Sequence, residues 1–266
     1  MKYLRVIGPQ TQPEGSYGIL QEDAVHLLDC SPLLESARKT GVSFSVGKVC
    51  KFLPPVEPPN IIALGLNYKQ HAKESNVELP PEPIIFLKAT SAVTAHLQPI
   101  MLPAEAPLEV DYEAELTIVI GKLAKNVPEQ RVFEYIFGYT CGNDVSARDC
   151  QLRRDKQWAR GKSFDSFAPV GPVIETELDS SSLRISSKVN GKLMQDATTA
   201  ELIFTIPQIV SYLSRQMTLL PGTLIMTGTP AGVGFARKPP VFLKPGDTVQ
   251  VTIERIGTLE NPVVNE

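Results

Sequence analysis

Four short stretches of the chain bring together residue types that can do chemistry. The first is Asp111-Tyr112-Glu113-Ala114-Glu115, which leads straight into the apolar run 116–120. Side chains alternate along a strand, so Glu113 and Glu115 project from one face at the point where the strand enters a core. Two like charges held there repel each other unless a cation lies between them. A third carboxylate, Asp144, follows in Asn143-Asp144-Val145-Ser146, directly before an expected helix. Oxygen donors in this number, with no His or Cys cluster beside them, suit Mg²⁺, Mn²⁺ or Ca²⁺ rather than Zn²⁺. The same residues also allow a plainer reading, with Asp144 capping a helix and the two glutamates facing water.

The second stretch runs from Asn67 through Tyr68, His71 and Glu74. In a helical turn His71 and Glu74 lie three apart on one face, where the carboxylate can orient the imidazole as a general base. Such a pair is equally a common surface decoration. Third, Lys162 follows Gly161 and precedes Phe164, placed either to steady a carboxylate or developing oxyanion, or simply at the surface. Fourth, Thr227-Gly228-Thr229-Pro230-Ala231-Gly232-Val233-Gly234 is a glycine loop after a β-like run, able to turn backbone N–H groups and two hydroxyls toward a carboxylate. A structural turn explains its glycines as well, and it has neither P-loop nor dinucleotide spacing. His26 and His96 lack a paired carboxylate and read as structural.

These groups need elements to position them. Short β-branched runs recur at 61–64, 84–87, 115–120, 183–189, 223–226 and 248–253, separated by Gly, Pro, Asn and Asp turns. Helical periodicity is confined to 128–133, 146–153 and 206–214. Nearer the start, 3–7 is β-like, 17–28 reads as a hairpin about Glu22-Asp23, and 33–39 as a short helix. The segment 53–60, LPPVEPPN, has four prolines in eight residues and favours an extended tether. The expected fold class is therefore α+β, mostly β, with a small N-terminal α/β domain over 1–56 and a larger domain over 57–266.

Composition narrows the function. The 266 residues are 42% hydrophobic and 21% charged with a net charge of −3, ordinary globular values with no basic cluster for nucleic acid. No stretch approaches the roughly 20 apolar residues that span a bilayer, and the start lacks a secretory pattern. Cys30, Cys50, Cys141 and Cys150 have neither CxxC spacing nor scaffold density and read as reduced thiols. A cytoplasmic location is expected, or the mitochondrial matrix for a processed eukaryotic chain.

Taken together, GLNYKQHAKE, PIIFLK, DYEAELTIVIGK, NDVSARD with Gln151, GKSFDSFAPVGP, VNG and TGTPAGVG occur in an order and spacing that resemble the fumarylacetoacetate hydrolase family. The closest likeness is to its single-subunit, fumarylacetoacetase-domain-containing branch, with FARKPPVFLKPGD adding to that likeness. The resemblance implies a mixed β-sandwich or roll catalytic domain, a homodimer, and Mg²⁺ or Mn²⁺ held by Glu113, Glu115 and Asp144. It makes His71 and Glu74 a water-activating dyad on a lid and Lys162 the active-site lysine. Asn67, Arg148, Gln151 and Thr229 would contact a small 2-oxo acid. The leading activity it suggests is C–C bond hydrolysis of acylpyruvate-type 2,4-dioxo acids through a metal-bound enolate. Oxaloacetate tautomerisation or decarboxylation, isomerisation of a 2-hydroxy-diene-dioate, and a non-catalytic metal-stabilised binding protein are the alternatives. One departure stands out: Leu66 occupies a position where many relatives carry arginine, leaving Arg148, Arg153 or Arg237 to compensate.

Overall fold

The computed structural model describes all 266 residues. Before the proline-rich segment the chain forms β1 (Lys2–Ile7), β2 (Ser16–Gln21), β3 (Ala24–Leu28), β4 (Lys39–Ser45) and β5 (Lys51–Leu53). β2 and β3 are the expected hairpin, with Gln21 opposite Ala24 across the Glu22–Asp23 turn. The helix expected over 33–39 does not form. Leu34 N–H donates to Ser31 O and Ala37 N–H to Leu34 O, two successive turns, and Lys39 already opens β4. A stretch this short does not offset the unfavourable nucleation of a helix.

The β-branched runs beyond the prolines all become strands. In chain order they are β6 (Ile61–Gly65), β7 (Ile84–Lys88), β8 (Val93–Ala95), β9 (Ile100–Leu102), β10 (Val110–Asp111), β11 (Ala114–Ile120), β12 (Ile136–Asn143) and β13 (Ser146–Ala147). There follow β14 (Ala168–Glu175), β15 (Arg184–Val189), β16 (Lys192–Thr198), β17 (Leu224–Met226), β18 (Thr248–Ile253) and β19 (Gly257–Asn265). One long sheet runs β4-β3-β2-β1-β14-β12-β11-β17-β6-β7, and a smaller one runs β16-β15-β18-β19-β9. The N-terminal meander joins the long sheet because β1 pairs with β14, Lys2 opposite Glu175 and Tyr3 opposite Ile174. The fold is thus mostly β with a small N-terminal unit, as the sequence predicts; that unit is not α/β, however, since without a helix at 33–39 it is five strands and a 3-10 turn at Val46–Lys48.

At the centre lies β11, buried along its whole length. Ala114, Leu116, Ile118 and Ile120 point into one apolar core, while Val119 points into a second core on the other side. Period-two alternation therefore leaves Glu113 and Glu115 on the same face as Val119, at the end where the strand leaves the core.

Three α-helices flank the sheets: α1 (Lys69–Glu74), α2 (Ala159–Lys162) and α3 (Ile206–Gln216). α3 starts with a Thr205–Gln208 capping box and lays Ile206, Ile209, Val210 and Leu213 on the core. The periodic stretch at 128–133 is a 3-10 turn, Glu129–Glu134. The helix expected over 146–153 is a different object. Ser146–Ala147 pair with β10 as β13, and Cys150–Arg154 then wind one π-helical turn closed by Asp155 N–H to Cys150 O. Pairing with Val110 and Asp111 takes the backbone groups that a helix would have used. All four cysteines are free thiols, and no helix is long and apolar enough to cross a membrane.

The close approach of α2 depends on Gly161, where an added Cβ would lie 2.9 Å from both Ala147 O and Gln151 N. Both obstacles are backbone, so Gly161→Ala must displace the helix that carries Lys162. We expect a loss of about 1–3 kcal/mol in urea unfolding, with weakened divalent-cation binding; an unchanged midpoint would show that α2 has more room than this contact allows.

Candidate active site

The site is set first by backbone register. In the β11–β12 pair Ala114 lies opposite Asn143 and Glu115 opposite Gly142. Just beyond it, Asp144 N–H donates to Glu113 O at 2.9 Å, and Asn143 Oδ1 accepts from Glu113 N–H at 2.9 Å. Two hairpin-related strands thereby deliver all three acids to one point, where ligand oxygens of Glu113, Glu115 and Asp144 lie within 4.8 Å of one another. All three are buried. Asp144 caps no helix.

Cations from three other elements converge on these acids. Lys162 Nζ donates to Glu113 Oε2 at 2.7 Å and to Asp144 Oδ2 at 2.6 Å. Arg148 donates to Glu113 Oε1 at 2.7 Å, Gln151 Oε1 at 2.8 Å and Asp111 Oδ2 at 2.9 Å, and stacks on Phe235. Lys88, at the end of β7, donates to Asp144 Oδ1 and to Val145 O. Glu115 has no ion-pair partner; its Oε2 accepts from Gly228 N–H at 2.7 Å.

The charges respond accordingly. Burial works against the Glu113 anion, but Lys162 and Arg148 overcome it and hold its carboxyl well below the usual range. Burial, then Asp144 and Glu113, push Glu115 well above that range. Burial also opposes the Lys162 charge, yet Asp144 and Glu113 more than restore it. At Lys88 burial wins over Asp144, and its ammonium is pushed down to about 8. One buried acid without a cation, beside two others and with no His or Cys among the donors, fits a hard divalent ion such as Mg²⁺, Mn²⁺ or Ca²⁺.

A cavity of about 210 Å³ opens over this cluster. His71, Glu113, Glu115, Arg148, Gln151, Lys162 and Thr229 all line it. α1 forms as expected and brings His71 Nδ1 to 2.8 Å from Glu74 Oε1. Glu74 is fixed in turn by Gly232 N–H, at 3.1 and 3.0 Å from its two oxygens. The Thr229 hydroxyl is already committed, donating to Ala114 O and accepting from Gln195 Nε2.

Asn67 departs from expectation. It does not line the cavity: its amide donates to Thr227 O and Phe204 O and accepts from Phe204 N–H. With every polar atom spent on backbone, Asn67 is a clamp between the 66–68 turn and the glycine loop rather than a substrate contact. None of the candidate arginines replaces a cation at Leu66. Arg153 pairs with Glu109, Arg237 is held by Tyr112 Oη, Gly232 O and Met194 O, and Arg148 is held as above.

Other functional side chains carry no obvious mark in the sequence. Lys88 merely closes an apolar strand. Asp111 accepts from the N–H groups of Tyr112, Gly234 and Phe235 besides Arg148, tying the glycine loop to the site. Gln195 bridges Thr229, Pro230 O, Ser187 and Ala114 N–H from the smaller sheet.

Comparison with known proteins follows the same lines. The fumarylacetoacetate (FAA) hydrolase C-terminal family matches residues 60–264, and an N-terminal family described as Rv2993c-like matches residues 1–55. The fumarylacetoacetate hydrolase domain-containing protein 2 homolog of Dictyostelium discoideum is 50% identical over 227 residues, covering 80% of this chain and 74% of that protein. The mitochondrial oxaloacetate tautomerase Fahd2a of Rattus norvegicus is 46% identical over 217 residues, covering 80% and 69%. Among solved structures, 5-carboxymethyl-2-hydroxymuconate delta-isomerase from Mycobacterium smegmatis superposes with a TM-score of 0.88 at 40% identity, covering 100% of both chains.

The protonation of Glu115 gives a test of cation binding. Between its ordinary and raised values, the folded metal-free protein holds a proton there that the unfolded chain releases, so rising pH weakens the metal-free fold through that window. A divalent ion replaces that proton. Mg²⁺ or Mn²⁺ should therefore stabilise the fold more at the higher of two pH values inside that window, by up to about 1.4 kcal/mol per pH unit for one displaced proton, read as a larger rise in Tm. In Glu115→Gln both the increment and its pH dependence should vanish. Equal increments at the two pH values in the parent protein would place the cation elsewhere.

Proposed function

The chain belongs to the fumarylacetoacetate hydrolase family, and from that premise we propose a divalent-metal-dependent enzyme that interconverts the enol and keto forms of a short 2-oxo acid such as oxaloacetate. The observation that carries this reading is the opening of the His71–Glu74 pair and the acidic triad onto one small cavity. Its volume is below the ~300–1,000 Å³ of pockets for drug-sized ligands, which suits a small acid. Relatives named as an oxaloacetate tautomerase and as a delta-isomerase support the same choice, while a neighbour from Exiguobacterium antarcticum, 34% identical, is named a fumarylacetoacetate hydrolase.

Ketonisation removes the proton of the C2 hydroxyl and adds one at C3. With Nδ1 engaged by Glu74, the nitrogen left to His71 for that transfer is Nε2. Glu74 both orients the ring and steadies its charge, and the Gly232 amide holds Glu74 in place. Lys162 keeps a fixed positive charge on the cavity floor, where negative charge develops on the substrate oxygens. A divalent ion held by Glu113, Glu115 and Asp144 supplies Lewis-acid stabilisation of that charge. The committed hydroxyl of Thr229 fixes the loop under the substrate, and Arg148 and Gln151 close the floor.

Hydrolysis of a C–C bond, which the sequence favours narrowly, takes second place. The intact dyad is the observation in its favour, since activating a water needs the same base. Family likeness also favours a homodimer, and the prolines at 54–59 a boundary between 1–56 and 57–266.

An ultraviolet assay with Mg²⁺ or EDTA separates the readings. The protein should accelerate ketonisation of enol-oxaloacetate above the spontaneous rate only with the metal, and His71→Ala should lower kcat by about 10²–10⁴-fold. Pyruvate released from acetylpyruvate, with enol-oxaloacetate untouched, would make the protein a hydrolase instead.

A further inference from the structure

The cavity is electrostatically one-ended. Its floor carries every charged side chain of the lining apart from His71, and each cation there is already spoken for: Arg148 by Asp111 and Glu113, Lys162 by Glu113 and Asp144. His71 is paired with Glu74. The outer wall, by contrast, is built from Leu66, Val77, Phe86, Leu152 and Trp158. The Phe86 and Trp158 rings meet edge to face at 5.5 Å, and Lys162 Nζ lies 5.0 Å over Phe86, so the aromatic wall begins where the charged floor ends. The polar group on the outer side is neutral, Ser75 Oγ, buried without a partner.

Leu66 is held in this wall by an unusual backbone. Its φ is +50°, a left-handed conformation that a leucine rarely adopts. The residue before it, Gly65, has no space for a side chain, because a Cβ there would come within 2.7 Å of Trp158. The residue after it is the fully engaged clamp Asn67. Neighbours on both sides thus fix the turn that presents Leu66 to the cavity.

A 2-oxo acid anchored by its C1 carboxylate at the floor projects any long tail against this wall. An uncharged tail gains apolar contact there, whereas a far carboxylate would be desolvated without a counter-ion. A four-carbon acid keeps its second carboxylate at the floor. We infer that the cavity selects 2-oxo acids that are short or have an uncharged far end, and that Leu66 is the residue setting this limit. The inference rests on the proposed function in one respect, that the substrate oxygens lie at the floor beside Lys162 and the acidic triad, but not on turnover.

Trp158 is the only tryptophan of the chain and lines the cavity, so its fluorescence reads binding directly. Titration in Mg²⁺ with 2-oxoheptanoate and with 2-oxoheptanedioate compares two ligands of equal length that differ in the far carboxylate. The monoacid should bind at least about tenfold more tightly, and Leu66→Arg should reverse that order. Should Leu66→Arg fail to fold, Val77→Arg at the half-exposed mouth is expected to strengthen diacid binding instead. Equal affinities in the parent protein, or tighter binding of the diacid, would overturn the inference; discrimination that survives a folded Leu66→Arg would remove Leu66 from it. Loss of enol turnover with this selectivity intact would count against the proposed reaction alone.

Discussion

Carboxylates repel one another most strongly where water is excluded, and Glu113, Glu115 and Asp144 sit in such a place with Asp111 close by. Arg148, Lys162 and Lys88 answer three of these four charges. The three cations come from three separate elements: the turn after β13, helix α2 and the end of β7. The acids therefore act as the fastener that draws those elements together over the end of β11. The unanswered charge falls on Glu115, and a bound proton or a divalent ion can settle it. A site left one positive charge short in its protein groups is tuned for an exchangeable cation.

That arrangement needs a rigid backbone behind it. β11 is buried on both faces, with its odd and even residues committed to different cores. A slip of one residue would drive Leu116 and Ile118 toward the cavity and the glutamates into apolar packing, so the register is held by the hydrophobic pattern itself. The glycine loop is then tied down from below by Asp111, Asn67 and Gln195. Gly228 alone fits its position, with φ at +98° and the Asn67 Cβ within 2.6 Å of any added side chain.

What could be read from the sequence was what is local. The ExE alternation, the i, i+3 spacing of His71 and Glu74, and the mostly β character are each written within a few residues, and each is present in the structure. Apart from 33–39, where a short helix fails to nucleate, the misread positions have partners far along the chain. Asn67 looks like a substrate contact until Phe204 and Thr227 are seen to use up its amide. Residues 146–153 have helical periodicity, but Val110 and Asp111 claim the backbone of Ser146 and Ala147. Lys88 and Gln195 reveal their roles only through Asp144 and Thr229, which the strand order brings beside them.

The strand order has a further consequence for how the chain reaches this state. β6 lies beside β17, with Ile61 opposite Leu224, and β1 lies beside β14, with Lys2 opposite Glu175. The long sheet cannot close until the last quarter of the chain is available, a topology of non-local pairings that folds slowly. Until then the end of β11 remains open to water, and its carboxylates stay hydrated and ionised. Desolvation of the acids is thus complete only once the glycine loop after β17, which gives Gly228 N–H to Glu115, is in place. The acidic triad, which could hold a divalent metal, stays open to such an ion until the site is sealed, so ion capture would coincide with completion of the fold.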